Sequence, residues 1–127
     1  MDARFPTMAL CLLLASNAAA QTAGARASIL VQSSPLAGFR YYDAKALWDN
    51  MQVGDSLTLV REPANPHDAN AVRVEWQGHL LGYVPRRENA DVARQIDRGT
   101  AVRARISRLQ HSRSPSKRIE FEVYVDL

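Results

Sequence analysis

The 127-residue chain has a single cysteine, Cys11, and only three histidines. Cys11 lies in a short apolar run near the N-terminus, so the rest of the sequence offers no thiol for a disulfide or a Cys-based zinc site. The histidines, His67, His79 and His111, have none of the short spacings that zinc sites use. The sequence therefore predicts no metal site.

Sequence signatures of catalysis are also missing. No serine lies in a G-x-S-x-G elbow, and there is no Gly-rich phosphate loop or Walker lysine motif. His67 beside Asp68 suggests a dyad, but adjacent residues of an extended chain point in opposite directions. The sequence thus favours a protein that is not an enzyme and binds no cofactor.

No apolar run reaches the roughly 20 residues that a membrane-spanning helix needs. The run Met8–Gln21 ends in small residues, with Ala18 and Ala20 at the two positions of a small-residue cleavage site. This layout is typical of a secretory signal peptide. The only basic side chain before the run is Arg4, so a disordered extension or a misassigned start codon is the alternative.

The chain therefore divides into a signal peptide over residues 1–20, a flexible lead-in over 21–27 and one folded domain over 28–127. Cleavage would leave an exported protein, periplasmic or secreted, with no membrane segment. Without a functional signal the protein would be cytoplasmic. The folded part is long enough for one modest core, and we expect a monomer.

Basic residues are concentrated near the C-terminus. Seven of them, and no acidic residue, occur from Arg98 to Arg118. Such a stretch is typical of a surface that binds a polyanion, most often nucleic acid, and Arg103 and Arg105 are its candidate contacts. The alternative is a strand edge protected by solvated charge.

Alternating apolar and polar residues predict a mainly β protein. The two middle strands are joined by Gln77–Gly78, a sequence suited to a tight hairpin turn. Five or six short strands with one or two short helices predict a small antiparallel β-barrel of the OB or SH3 type. The predicted strands are Ser28–Gln32, Leu57–Val60, Asn70–Trp76, His79–Val84, Ala101–Leu109 and Ile119–Val125.

Two segments have helical patterns. The first follows Asp43, a candidate N-cap, and ends before Gly54, and the segment "SSPLAG" before it predicts a turn. The second, "RRENADVARQIDRG", follows Pro85 and ends at Gly99. The segment "QHSRSPSK" between the last two strands predicts a polar, mobile loop.

The segment "REPANPHDANAV", Arg61–Val72, is long for a hairpin connection and has His67 and Asp68 at its tip. It could be a metal site, a catalytic dyad, a binding loop or a turn held by side-chain hydrogen bonds from Asp68 and Asn70. The lack of zinc spacing and of an activated nucleophile favours the last two interpretations.

Aromatic residues are few but cluster in "FRYY", Phe39–Tyr42. Tyrosine rings can stack on nucleic-acid bases, and Arg40 can contact phosphate. We expect one of Tyr41 and Tyr42 to cap the barrel core and the other to be exposed.

The motifs "GFRYY", "LVREPANPHDANAVRV" and "LGYVPR", in this order, resemble the HIRAN domain family over residues 28–127. The resemblance implies a stand-alone, bacterial member with an OB-like barrel. In a eukaryotic DNA translocase of this family the domain captures single-stranded DNA at a free 3′-hydroxyl end. The family's ATP hydrolysis belongs to fused helicase domains, so no enzymatic activity is carried over.

The resemblance also implies roles for individual residues. Arg40 would contact backbone phosphate, Tyr41 would stack on the terminal base, and Tyr42 would line or support the same pocket. Asp68 would accept a hydrogen bond from the terminal hydroxyl. His67 occupies a position where the eukaryotic relative has tyrosine, and its imidazole can still stack with less area.

The leading hypothesis is a non-catalytic module that binds single-stranded DNA or DNA ends. The alternative is an exported interaction module that uses the same barrel cleft for a peptide or polysaccharide, because a barrel fold does not fix its ligand. A third hypothesis is a small nuclease that uses Asp68 and Glu62 with a divalent ion.

Overall fold

The computed structural model describes residues 27–127, so the predicted signal peptide and nearly all of the predicted lead-in lie outside the described residues. Six strands form one antiparallel sheet with the order β1-β6-β5-β2-β3-β4. They are β1 (Ser28–Pro35), β2 (Ser56–Arg61), β3 (Val72–Trp76), β4 (His79–Tyr83), β5 (Val102–Leu109) and β6 (Ile119–Asp126).

Two short α-helices accompany the sheet, α1 (Ala44–Leu47) and α2 (Ala90–Asp97). Single 3₁₀ turns occur at Trp48–Asn50, Arg86–Glu88 and Pro115–Lys117. Within the described residues, no helix is both long and apolar enough to cross a membrane. The predicted class, a mainly β domain with an OB-like barrel and short helices, is confirmed.

The two edge strands of the sheet, β1 and β4, are connected by the segment that follows β1. The chain continues past Pro35, and Ala37 pairs with Tyr83 of β4 in an antiparallel bridge. The N–H of Ala37 donates to the carbonyl of Tyr83 and the N–H of Tyr83 donates to the carbonyl of Ala37, both at 2.9 Å. These two hydrogen bonds close the sheet into a barrel, which removes an open edge.

The barrel core consists of inward-facing apolar residues of alternate strand positions. On β5, Ala104 and Ile106 point inward and Arg103 and Arg105 point outward. Helix α2 covers part of the core with Val92 and Ala93. The largest fully buried side chains of the core are Phe121, Leu36, Leu81, Ile106 and Ile119.

Several element bounds differ from the predictions. The predicted turn "SSPLAG" is partly wrong, because β1 continues to Pro35 and pairs with Glu120 of β6. Helix α1 is only four residues long, and the Asp43 side chain makes no capping hydrogen bond. The second helix begins at Ala90 rather than at Arg86, since Arg86–Glu88 forms a separate 3₁₀ turn.

Two turn predictions are confirmed. Gln77 and Gly78 have φ of 48° and 82°, which is the left-handed backbone that a tight hairpin turn needs. Gly99 follows α2 with φ of 80° and ends the helix.

Barrel closure requires a residue without a side chain at position 82. A Cβ at Gly82 would overlap the carbonyl oxygen of Ala37 and contact Leu36. We therefore expect Gly82→Ala to lower the free energy of unfolding by about 1–3 kcal/mol, because the closing segment must move away. Urea unfolding measures the change.

Ser33→Thr, which also adds one carbon but at an exposed position of β1, is the control, and its free energy of unfolding should stay within about 0.5 kcal/mol of wild type. Equal midpoints for Gly82→Ala and wild type would contradict the assigned closure.

Candidate functional site

The loop between β2 and β3 is a chain of three turns. The N–H of Asn65 donates to the carbonyl of Glu62, that of Asp68 to Asn65, and that of Ala71 to Asp68. Turns repeated at this spacing compact the loop, and its tip carries His67 and Asp68. The loop is thus an ordered arm rather than an extended connection.

Side chains within the loop reinforce these turns. The Oδ1 of Asn65 accepts from the N–H of His67 at 2.8 Å, and the Oδ1 of Asp68 accepts from the N–H of Asn70 at 2.9 Å. Both are Asx turns. The prediction that the Asp68 side chain holds the turn is confirmed. The second side chain that accepts a backbone hydrogen bond is that of Asn65, whereas Asn70 was predicted.

Arg61 attaches the base of the loop to the barrel and to α2. Its guanidinium donates to the carbonyl of Ala71 at 2.9 Å and forms a two-point pair with Asp97, at 2.9 and 3.2 Å. The Arg61 side chain is mostly buried, at 12% exposure. Such a paired, two-point contact fixes orientation better than a single surface ion pair.

Glu62 links the loop to β4. Its carboxylate accepts from the Tyr83 hydroxyl at 2.9 and 3.1 Å and from the Asn65 amide at 3.0 Å, and it lies 3.4 Å from Arg73. Burial, followed by the hydrogen bond to Glu62, raises the pKa of Tyr83 to about 12. Tyr83 therefore remains a neutral donor at physiological pH.

Asp68 is held by donors on both carboxylate oxygens. Oδ2 accepts from the side-chain amide of Asn89 at 2.7 Å, and Asn89 is only 2% exposed. Burial by itself would raise the pKa of Asp68. The hydrogen bonds from Asn70 and Asn89 and the charges of Arg86 and Arg61 outweigh that effect, so the pKa lies below its ordinary value. Asp68 is therefore ionised at neutral pH.

Asp68, Tyr83 and Asn89 line a cavity of about 260 Å³, which we call the loop cavity. Its polar and aromatic walls come from three parts of the chain that are distant in sequence. His67 and Asp68 both line this cavity, at the tip of the loop. The functional groups around it belong to Tyr42, Asn65, His67, Asp68, Tyr83, Arg86 and Asn89.

The four residues of "FRYY", in the turn after β1, lie in different environments. Phe39 enters the core at 4% exposure, whereas Tyr41 is 78% exposed and Tyr42 is 39% exposed. The expectation that one of the two tyrosines caps the core is therefore wrong, because Phe39 occupies that place. Tyr42 lies edge-on to Tyr83, with ring centroids 5.6 Å apart, and lines the loop cavity.

Arg40 and Tyr41 border a separate depression, which is formed by the turn between the Ala37 and Tyr42 residues of the loop cavity. Pro115 and Ser116, from the β5–β6 loop, form its other side. That loop, which was predicted to be mobile, contains a 3₁₀ turn, and the side chain of Gln110 donates to the carbonyl of Lys117 at 2.7 Å. Both predicted contact residues are thus near the cavity without lining it.

Arg103 and Arg105 lie on a different surface, the outer face of β5. Arg103 pairs with Asp126 at 2.8 Å and Arg105 with Glu122 at 3.1 Å. The Arg105 guanidinium lies 4.8 Å from the centre of the Tyr124 ring. Strand β6 therefore neutralises these two arginines of the stretch without acidic residues, and neither of them lines the loop cavity.

Sequence reasoning missed four residues whose functional groups surround the loop cavity: Asn65, Tyr83, Arg86 and Asn89. Tyr83 and Arg86 belong to the quoted motif "LGYVPR", which offered a signal for them. Asn89 gave no such signal: its position before α2 is that of a helix cap, yet its side chain makes no cap hydrogen bond and reaches Asp68 instead. Within residues 27–127, no group of three or more His, Cys, Asp or Glu is arranged to hold a metal.

The sequence and the fold were compared with known proteins. Residues 29–127 match the HIRAN domain, whereas no curated protein matches significantly. A crystal structure of a protein from Lactobacillus plantarum is similar, with 27% identity, a TM-score of 0.69, and coverage of 80% of this chain and 98% of that one. The crystal structure of the HIRAN domain of human HLTF aligns with 20% identity, a TM-score of 0.53, and coverage of 78% and 77%.

The chain therefore belongs to the HIRAN domain family, and the resemblance found in its motifs is confirmed. The family is generally linked to nucleic-acid binding. The HLTF similarity, at 20% identity, shows a shared fold.

Removing the Asn89 amide should change both the charge state of Asp68 and the stability of the fold. We expect Asn89→Ala to raise the pKa of Asp68 and to cost about 1–3 kcal/mol near neutral pH, since a half-buried carboxylate loses a donor. A depressed carboxyl pKa stabilises the fold above the unfolded pKa, and that stabilisation is lost as the pH falls. The variant should therefore lose less further stability in acid than wild type.

Carboxyl-carbon NMR titration and urea unfolding at neutral and acid pH measure these two effects. Asn50→Ala, at an exposed position, serves as the control. An unchanged Asp68 titration in Asn89→Ala would show that Asn89 does not hold the carboxylate.

Tyr83 should make the fold sensitive to alkaline pH. Its pKa is raised to about 12, so the unfolded phenol ionises first and stability falls as the pH rises from about 10 towards that value. Glu62→Gln should lower the Tyr83 pKa, because the phenolate would no longer meet a carboxylate. The phenolate absorbance difference between each protein and its Tyr83→Phe partner isolates this titration. Glu120→Gln, outside the network, should leave it unchanged; the same result for Glu62→Gln would refute the assignment.

Proposed function

We propose that this HIRAN domain is a non-catalytic module that binds single-stranded DNA at a free 3′-hydroxyl end through the loop cavity. The observation that carries the proposal is an ionised, oriented carboxylate, Asp68, in the same cavity as the tyrosine ring of Tyr42 and the cation of Arg86. A nucleotide end offers a partner to each: a hydroxyl donor, a flat base and a phosphate.

Asp68 supplies the selectivity for the end. An ionised carboxylate only accepts hydrogen bonds and has about four acceptor positions. Two of these are used by the N–H of Asn70 and the amide of Asn89, which leaves capacity for a terminal hydroxyl. A terminal phosphate has no matching donor and would be repelled by the negative charge, so it is disfavoured.

The walls of the cavity suit the rest of a terminal nucleotide. Tyr42 and His67 offer ring surface for the base, and stacking of this kind contributes roughly 1–3 kcal/mol per base. Arg86 is exposed and forms no ion pair among the described residues, so its guanidinium is available for a phosphate. Arg40 and Tyr41 border the adjoining depression, where the preceding nucleotide would lie.

Export of the domain is part of the proposal, and its support is the apolar run Met8–Gln21 with the small residues that end it. An exported domain of this kind would bind DNA outside the cytoplasm.

Fluorescence anisotropy with short labelled strands tests end recognition. The purified protein should bind a strand ending in 3′-hydroxyl at least tenfold more tightly than the same strand ending in 3′-phosphate. Asp68→Ala should remove that preference. Binding of the hydroxyl strand should weaken as salt rises, because phosphate contacts release counterions.

Asp91→Asn is the matched control, since Asp91 is an exposed acid on α2 outside the loop cavity. It should retain the end preference. Equal affinity for both ends in wild type, or an unchanged preference in Asp68→Ala, would exclude the proposal. Salt-independent binding of a peptide or polysaccharide, with none of DNA, would favour the other ligand class.

A further inference from the structure

A second concavity, larger than the loop cavity, lies among other residues. It is a groove of about 540 Å³ between the α1 segment and the β5–β6 loop. This volume is in the range of roughly 300–1,000 Å³ that small ligands occupy. We call it the aromatic–basic groove, and its principal residues are Phe39, Lys45, Trp48, His111, Arg113 and Arg118.

Aromatic rings form one wall of this groove. Trp48 is half-buried, and its ring centroid lies 5.6 Å from that of His111 at an interplanar angle of 55°. Phe39 meets Trp48 edge-on, at 5.8 Å and 80°, and holds it from the core side. An indole and an imidazole at the surface, supported from below, provide a platform on which a base can stack.

Cations form the rest of the groove. Lys45, Arg113 and Arg118 line it, and none of them forms an ion pair among the described residues. Arg118 is fixed by its hydrogen bond to the carbonyl of Ser112, at 2.7 Å, and by its position 4.9 Å from the Phe39 ring centre. Asp49 is the one carboxylate in the lining, so positive charge predominates and favours a phosphate.

The groove and the loop cavity are neighbours along the chain. Ala37 lines the loop cavity and Phe39 lines the groove. Two residues span at most about 7 Å. Residues 38–41 border the separate depression described above, so the single turn 37–42 contributes to all three concavities.

We infer that the aromatic–basic groove holds an internal nucleotide of the same single strand whose 3′ end enters the loop cavity. Its base stacks on the Trp48 ring beside His111, and its phosphates lie against Lys45 and Arg113. This inference rests on the proposed function. It extends the site from a terminal nucleotide to several, in keeping with the 4–16 nucleotides that OB folds cover.

Binding of a dinucleotide and an octanucleotide, both ending in 3′-hydroxyl, tests the groove. Wild type should bind the octanucleotide at least tenfold more tightly, and the double variant Lys45→Gln/Arg113→Gln should lose most of that gain. Its slope of log affinity against log salt should decrease by roughly 1.4, for two phosphate contacts on a single strand. The preference for 3′-hydroxyl over 3′-phosphate should remain, because the loop cavity is untouched.

Arg94→Gln/Arg98→Gln is the charge-matched control, since both arginines are exposed on or next to α2, outside the groove. It should retain the gain from the longer strand. Equal gains in the groove variant and in wild type would overturn the inference.

Tryptophan fluorescence gives a second measurement that does not depend on affinity. The chain has two tryptophans, and Trp76 is 6% exposed, so quenching by a stacked base should come from Trp48. The octanucleotide should quench the emission and the dinucleotide should not, and Trp48→Phe should bind while showing no quenching. An octanucleotide that binds without quenching wild type would also overturn the inference.

The two proposals fail separately. A length gain that depends on the groove, without preference for the hydroxyl end, would refute end capture and support nucleotide contact in the groove. End preference without a length gain would refute the groove alone. If wild type binds neither strand, both proposals are wrong.

Discussion

The pair of backbone hydrogen bonds between Ala37 and Tyr83 joins the turn after β1 to β4, and residues of both segments line the loop cavity. On one side of this bridge the chain enters the turn that carries Phe39, Arg40, Tyr41 and Tyr42. On the other side, the Tyr83 hydroxyl donates a hydrogen bond to Glu62, which belongs to the β2–β3 loop. Barrel closure therefore brings together segments that are more than twenty residues apart in sequence. The requirement for glycine at position 82 follows from the same contact.

The β2–β3 loop is organised before any ligand arrives. Arg61 attaches its base, Glu62 connects it to β4, and Asn89 holds the carboxylate at its tip. A loop that is already ordered loses less conformational entropy on binding, so more of the interaction energy contributes to affinity. The hydrogen bonds that hold Asp68 also keep it ionised. The same residues would thus serve both loop stability and the proposed binding chemistry, so a binding loop and a firmly held turn are not exclusive interpretations.

Charge along the sequence differs from charge on the surface. The stretch Arg98–Arg118 has no acidic residue, yet β6 lies beside β5 and places Asp126 and Glu122 against Arg103 and Arg105. Strand pairing thereby neutralises part of the stretch, because antiparallel neighbours bring together side chains that sequence keeps apart. Arg113 and Arg118, in the loop and at its end, remain without such partners among the described residues and join Lys45 in the groove. Their role in binding nucleic acid stays a prediction. The charge pattern of the sequence indicated a basic surface but not which of its residues form it.

Local patterns were sufficient for the strands, the Gln77–Gly78 turn, the end of α2 at Gly99 and the identity of the loop, because these depend on near neighbours and on turn chemistry. The motifs also indicated the family, and with it Asp68 and His67. Tertiary structure decided which aromatic residue enters the core, where α2 begins, and that Asn89 and Tyr83 support the loop. Asn89 and Tyr83 support the loop through residues distant in sequence, Asp68 and Glu62, and Phe39 likewise lies against the distant Arg118. Such contacts form only when the barrel closes. The residue pattern of any single segment therefore cannot predict them.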